Sequence, residues 1–128
     1  MCDTRGCETI GLSLPANKDL MLVARLATAG VVARAGLPLD VLDDVKMAVE
    51  EASLFLMAQA AEPAELRVSC ALCPGAISVE IACEGEGKRA GDLQPGELEV
   101  VRCILESLVR AVDIRLGEDG PASIRLEA

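Results

Sequence analysis

The 128-residue chain has no histidine, no tyrosine and no tryptophan, and its one phenylalanine is Phe55. Without imidazole, His-based catalytic triads and His-ligated metal sites are excluded. Without several aromatic rings, stacking platforms for single-stranded nucleic acid are excluded as well. Proton transfer is left to carboxylates, lysine and cysteine. No apolar run reaches the roughly 18 to 20 residues that a spanning helix needs. Residues 1–7 contain no apolar stretch of the secretion-signal kind, so the chain is expected to be soluble and cytoplasmic. Basic residues are scarce, 12 against 21 acidic ones, which gives a formal net charge of −9 and a pI near 4.4. A surface of that sign repels phosphate backbones and anionic leaflets, so neither nucleic acid nor membrane is an expected partner.

What is abundant is apolar: 52% of residues are hydrophobic and the mean hydropathy is +0.38. Such a chain folds rather than staying disordered. Its length suits one domain over 1–128 with one core, of which residues 1–8 form a flexible N-terminus. In a cytoplasmic chain the six cysteines are expected to be reduced, buried thiols rather than a disulfide framework. Cys70 and Cys73 form a CxxC, but on a strand residues three apart point to opposite faces and share a metal poorly. A zinc site with Cys2 and Cys7 as further thiolates is the alternative. Metal analysis of the purified protein tests it.

The pattern of elements is legible in outline. Residues 9–14 alternate as a strand, and Pro15 stops it. Asn17 is placed to cap a helix over 18–35, with Leu20, Val23, Ala24, Ala27 and Val31 inward and Gly36 as its stop. Asp40 is placed to cap a second helix that runs to about residue 60, before Pro63. Residues 65–73 and 76–83 read as a hairpin about Pro74-Gly75, and the Gly-rich stretch 84–96 as a loop. Residues 97–112 form an amphipathic helix, and 113–116 with 122–126 make a closing hairpin. The order β-α-α-β-β-α-β-β implies an α+β two-layer sandwich: a mixed, mostly antiparallel sheet with three helices on one face.

Leu12-Ser13-Leu14-Pro15-Ala16, then Arg25-Leu26, then the run from Asp43 through Glu50-Glu51-Ala52 resemble the anti-sigma factor serine kinases. These belong to the GHKL (histidine kinase-like) ATPase superfamily, and the element order is similar to its compact form. The resemblance implies an ATP-dependent serine kinase that acts on an anti-anti-sigma protein, with Glu51 as general base. It also implies a homodimer, and a first-helix arginine, Arg25, that contacts a sigma factor or anti-anti-sigma partner.

The nucleotide motifs depart from the family's pattern. Its N-box, Glu-Ala-x-x-Asn, reads Glu51-Ala52-Ser53-Leu54-Phe55, so a ring stands where the magnesium-binding oxygen belongs. Its Asp-x-Gly-x-Gly reads Cys83-Glu84-Gly85-Glu86-Gly87, with a weak acceptor in place of the adenine-binding Asp. The glycines of its phosphate loop fall on Glu99 and Val101, and a carboxylate there repels a triphosphate by roughly 1 kcal/mol or more at surface dielectric. The expectation is a degenerate, pseudokinase-like regulator of transcription that acts through protein binding. Phe55, Cys83, Gly85 and Gly87 would line a degenerate nucleotide pocket with Glu51 a vestigial base. No metal or cofactor is expected; ATP and Mg2+ enter only if the chain is an active kinase.

Overall fold

The computed structural model describes residues 7–88, 96–116 and 122–128. Five strands and three helices follow the chain as β1 Glu8–Pro15, α1 Met21–Arg34, α2 Leu39–Met57, β2 Ala60–Cys73, β3 Ala76–Lys88, α3 Glu97–Leu108, β4 Ala111–Arg115 and β5 Ala122–Glu127. The strands form one sheet in the order β1-β2-β3-β5-β4. Every neighbouring pair is antiparallel, so the expected mixed sheet is wholly antiparallel among the described residues. Paired strands run in opposite directions throughout the described sheet, the arrangement that tight hairpin turns permit.

Period-two alternation decides the faces of the sheet. Leu12, Val68, Ile81, Ile124 and Ile114 stand in one cross-strand row. Ile10, Cys70, Val79, Leu126 and Val112 stand in the next. Leu66, Ile81, Leu105 and Ile124 are fully buried where this face meets the helices. Each such side chain contributes about 1.5 to 3 kcal/mol by leaving water. The other face carries small and charged residues, such as the row Gly11, Ser69, Glu80, Arg125 and Asp113. Arg67 pairs there with Glu84 on the next strand.

The helix boundaries differ from the sequence reading for local reasons. Asn17 does cap, but its Oδ1 accepts from Asp19 N at 2.9 Å and starts a 3-10 turn over Lys18–Leu20 that precedes α1. Gly36 has φ of 76° and ends α1 as expected, because a side chain there would be strained. Asp40 lies in the first turn of α2 rather than at its cap, which is Pro38. Helix α3 stops at Leu108 because Val109 turns extended (φ −133°, ψ 165°), and β4 starts at Ala111.

The largest departure is the hairpin. Strand β2 starts at Ala60 and β3 runs on to Lys88, with a register shift between Pro63 and Glu65. Residues 84–88, expected as loop, are therefore strand; residues 89–95 lie outside the described residues, as do residues 117–121, where the closing hairpin's turn is expected. Pro63 is tolerated at the irregularity, where no ladder hydrogen bond is required of it.

The cysteines also need correcting. Cys7 and Cys73 form a disulfide with Cα atoms 4.7 Å apart, so two of the thiols expected to be reduced are not. Cys73 does face away from Cys70, as strand alternation requires, and that turns it toward Cys7 on the open face. Cys7 and Glu8 are thus tied into the sheet, although the N-terminal extension was expected to include them. Cys70 and Cys83 are buried free thiols and Cys103 is exposed. Burial pushes the Cys70 thiol up to about 11. Among the described residues no group of three or more His, Cys, Asp or Glu side chains is placed to hold a metal. Cys2, the remaining thiolate of the zinc alternative, lies outside them. No helix among the described residues is long and apolar enough to cross a membrane.

Candidate functional site

The residues of the expected pocket come from α2 and from the last part of β3, two elements that pack together. Phe55 is 7% exposed and belongs to the continuous hydrophobic core. Glu51, one turn earlier, is exposed on α2. The spacing of four residues puts both on neighbouring turns of one side of the helix. One side chain points into the core and the other out to water, because this side straddles the rim of the buried face.

Cys83 is buried on the core face of β3, opposite Leu66 on one neighbour and Ala122 on the other. Its Sγ donates weakly to the Glu84 carbonyl at 3.8 Å. Desolvation first, and the Glu84 charge second, raise its pKa. The thiol therefore stays protonated, a donor where the family's motif has an acceptor.

Gly85 has a reason of its own to be glycine. A Cβ at this position would lie 2.5 Å from the Glu62 carbonyl oxygen and 2.8 Å from the Pro63 Cα. Both are backbone atoms at the register shift and cannot swing aside. Gly87 lies two residues further along β3, and its partner strand begins opposite Lys88 at Ala60. Both glycines therefore belong to a paired strand rather than a free loop. Replacing Gly85 by alanine is expected to cost about 1 to 3 kcal/mol in urea denaturation, the usual cost of overpacking. An unchanged midpoint would show that packing does not require the glycine.

The second candidate is the outer face of α1. Met21, Ala24, Thr28, Val31 and Val32 are its buried residues. Ala24 and Val31 face inward as the sequence suggests and Leu20 packs against the core, whereas Val23 does not, and Met21, Thr28 and Val32 complete the buried side. Helix α1 is apolar on every side, so periodicity gave only a weak indication of its phase. In consequence Leu22, Val23 and Leu26 stand 55%, 47% and 65% exposed. They form an apolar stripe that only the assembled fold reveals.

Arg25 sits at the border of this stripe. Its Nη1 lies 3.9 Å from Glu50 Oε2 on α2, a long and partly exposed pair that contributes little. Its Nε is buried with no hydrogen-bond partner among the described residues. That buried Nε is out of a partner's reach, but the side chain as a whole is 42% exposed, and its terminal NH2 groups, bordered by exposed leucines, have donor capacity to offer a partner. At the other end of the helix Arg34 Nη2 donates to Glu8 Oε2 of β1 at 3.2 Å.

The open sheet face holds a shallow depression between Thr9, Ser69, Ser78, Glu80 and Arg125. Arg125 Nε donates to Ser78 Oγ at 3.3 Å there, and Glu80 is its cross-strand neighbour. The opposite charges leave little net pull on an ion. Compared with models of known protein families and with curated proteins, the chain matches none.

Proposed function

We propose that the chain is a regulator of the anti-sigma factor type, which acts in the cytoplasm by binding a protein partner through the outer face of α1. The observation that carries this reading is the exposed Leu22, Val23 and Leu26 stripe beside the half-exposed Arg25 side chain, whose ion pair with Glu50 is long. Arginine among desolvated aliphatic side chains is a frequent centre of binding energy. The sequence resemblance supplies the partner class, a sigma factor or an anti-anti-sigma protein, and the homodimeric state. The element order, with the helices packed on a five-stranded sheet, is compatible with the compact GHKL form. Phe55 in the core and Cys83 as a protonated thiol support a nucleotide site that no longer turns over.

Two titrations test the reading. Against the sigma factors of its host cell, Leu26→Asp and Arg25→Ala should each weaken binding at least roughly tenfold, the scale of a 1.4 kcal/mol loss. Neither should shift Tm, since neither side chain is in the core. Wild-type affinity in both variants would remove α1 as the contact surface. Titration with ATP, ADP and Mg2+ should give no heat in the micromolar range, and micromolar binding would favour a working kinase with Glu51 as base.

A further inference from the structure

We propose that the Cys7–Cys73 bond is a reducible latch on the first half of β1. Among the described residues strand β1 is an edge strand, bonded to β2 alone. Its two halves are anchored very differently. Leu14 is buried and Leu12 packs against the core, whereas Glu8, Thr9, Ile10 and Gly11 are all exposed. Ile10 points to the helix-covered side but remains 39% exposed, and Gly11 has no side chain to bury. The first half is thus held by ladder hydrogen bonds, by the Glu8–Arg34 pair, and by the covalent bond at its start.

The 4.7 Å Cα separation marks Cys7 and Cys73 as a non-hydrogen-bonded pair. Ladder bonds therefore fall on the alternate pairs Glu8–Leu72, Ile10–Cys70, Leu12–Val68 and Leu14–Leu66. The first two lie in the exposed half and the last two over the core. A bond between the ends of β1 and β2 contributes most where packing contributes least.

Opening the latch requires a dithiol reductant. Its thiolate attacks one sulfur of the bridge and displaces the other as a thiolate. Its second thiol then resolves the mixed disulfide. The reductant leaves as a disulfide, and the two electrons and two protons it gives up end on Cys7 and Cys73 as two thiols. With the bond open, residues 8–11 detach. The backbone of β2 at Ser69–Cys73 becomes an unpaired edge, and Arg34 at the end of α1 loses Glu8. Exposed backbone of this kind accepts an added strand from another chain. The latch does not depend on what α1 binds.

Amide hydrogen exchange on the full chain tests this, comparing air-oxidised protein, the same protein in excess dithiothreitol, and a Cys7→Ser/Cys73→Ser variant. Peptide mass mapping before and after reduction first counts the bond. In the reduced protein and in the variant, the Glu8 and Ile10 amides should exchange at close to the rate of an unstructured peptide. Leu12 and Leu14 should stay protected by roughly a hundredfold or more, because they open with the core. Three results overturn the proposal: free Cys7 and Cys73 thiols in the oxidised sample, undiminished protection of Glu8 and Ile10 after reduction, or loss of protection at all four amides together. The last would make the bond a staple of the whole fold. Reduction of the wild-type chain keeps the test decisive even if the variant fails to fold.

Discussion

Replacing Cys7 and Cys73 together by serine should lower the unfolding free energy by up to about 4 kcal/mol. The bond closes a loop of sequence separation 66. In the chain-entropy account, closing a loop of that length removes about 15 cal/mol/K from the unfolded ensemble, hence the expected loss at 25 °C. The serines themselves cost little, because the bond lies on the open face of the sheet and its removal leaves no cavity in the core. With a urea m-value of about 2 kcal/mol/M, the midpoint falls by roughly 2 M. Oxidised and reduced wild-type protein should differ by a similar amount. A shift smaller than roughly 1 kcal/mol would mean that the unfolded chain is already compact near these residues, or that the bond does not persist in solution. Since small domains are stable by only about 5 to 15 kcal/mol, the redox state of this pair is expected to be visible in every thermal melt.

Phe55→Ala should destabilise the chain by about 3 to 5 kcal/mol, the range for truncating a buried ring. Phe55 is the chain's one aromatic side chain and a member of its core. No other ring is available to repack the space. Phe55→Asn introduces the residue that the kinase N-box carries at the corresponding position. It should be at least as destabilising as alanine, because a buried amide needs partners that the surrounding aliphatic side chains do not offer. Thermal melts should show both losses, at roughly 3 to 5 °C per kcal/mol for a chain of this size. If Phe55→Asn is instead tolerated and gains Mg-ATP affinity, position 55 borders a cavity that can still accept a nucleotide. The premise that an apolar ring has closed it would then fail. The pair of variants separates the loss of packing from the loss of a ligand oxygen.

How legible these features were differs from residue to residue. Strand β3 is longer than its sequence suggests because Glu84-Gly85-Glu86-Gly87 carries no apolar alternation, and two glycines in four residues resemble a loop. Its pairing with Ala60 and Glu62 comes from the antiparallel register of a long hairpin, not from the residues themselves. Gly85 stands out in the sequence only as half of a Gly-x-Gly pair. The packing reason for it, the approach of Glu62 and Pro63 backbone, depends on a register shift that no local pattern announces. Arg25 was identified through resemblance, but its orphaned Nε and the leucines around it appear only once α1 is docked. Helix α1 shows why. Apolar on every side, it is compatible with several rotations about its own axis, and its packing against α2 and the sheet selects one.

Properties that depend on neighbours in sequence were settled at the level of the chain. They include the alternating strands, the stop at Gly36, the turn at Pro74-Gly75 and the exclusion of imidazole chemistry. Each follows from side-chain type, or from a repeat of two or 3.6 residues. Properties that depend on neighbours in space waited for the fold. Cys7 meets Cys73 from 66 positions away because one strand register aligns them, and a shift by a single residue would turn them to opposite faces. The exposed face of α1 is likewise a remainder, the apolar surface left over after a five-stranded sheet and one neighbouring helix had covered what they could reach.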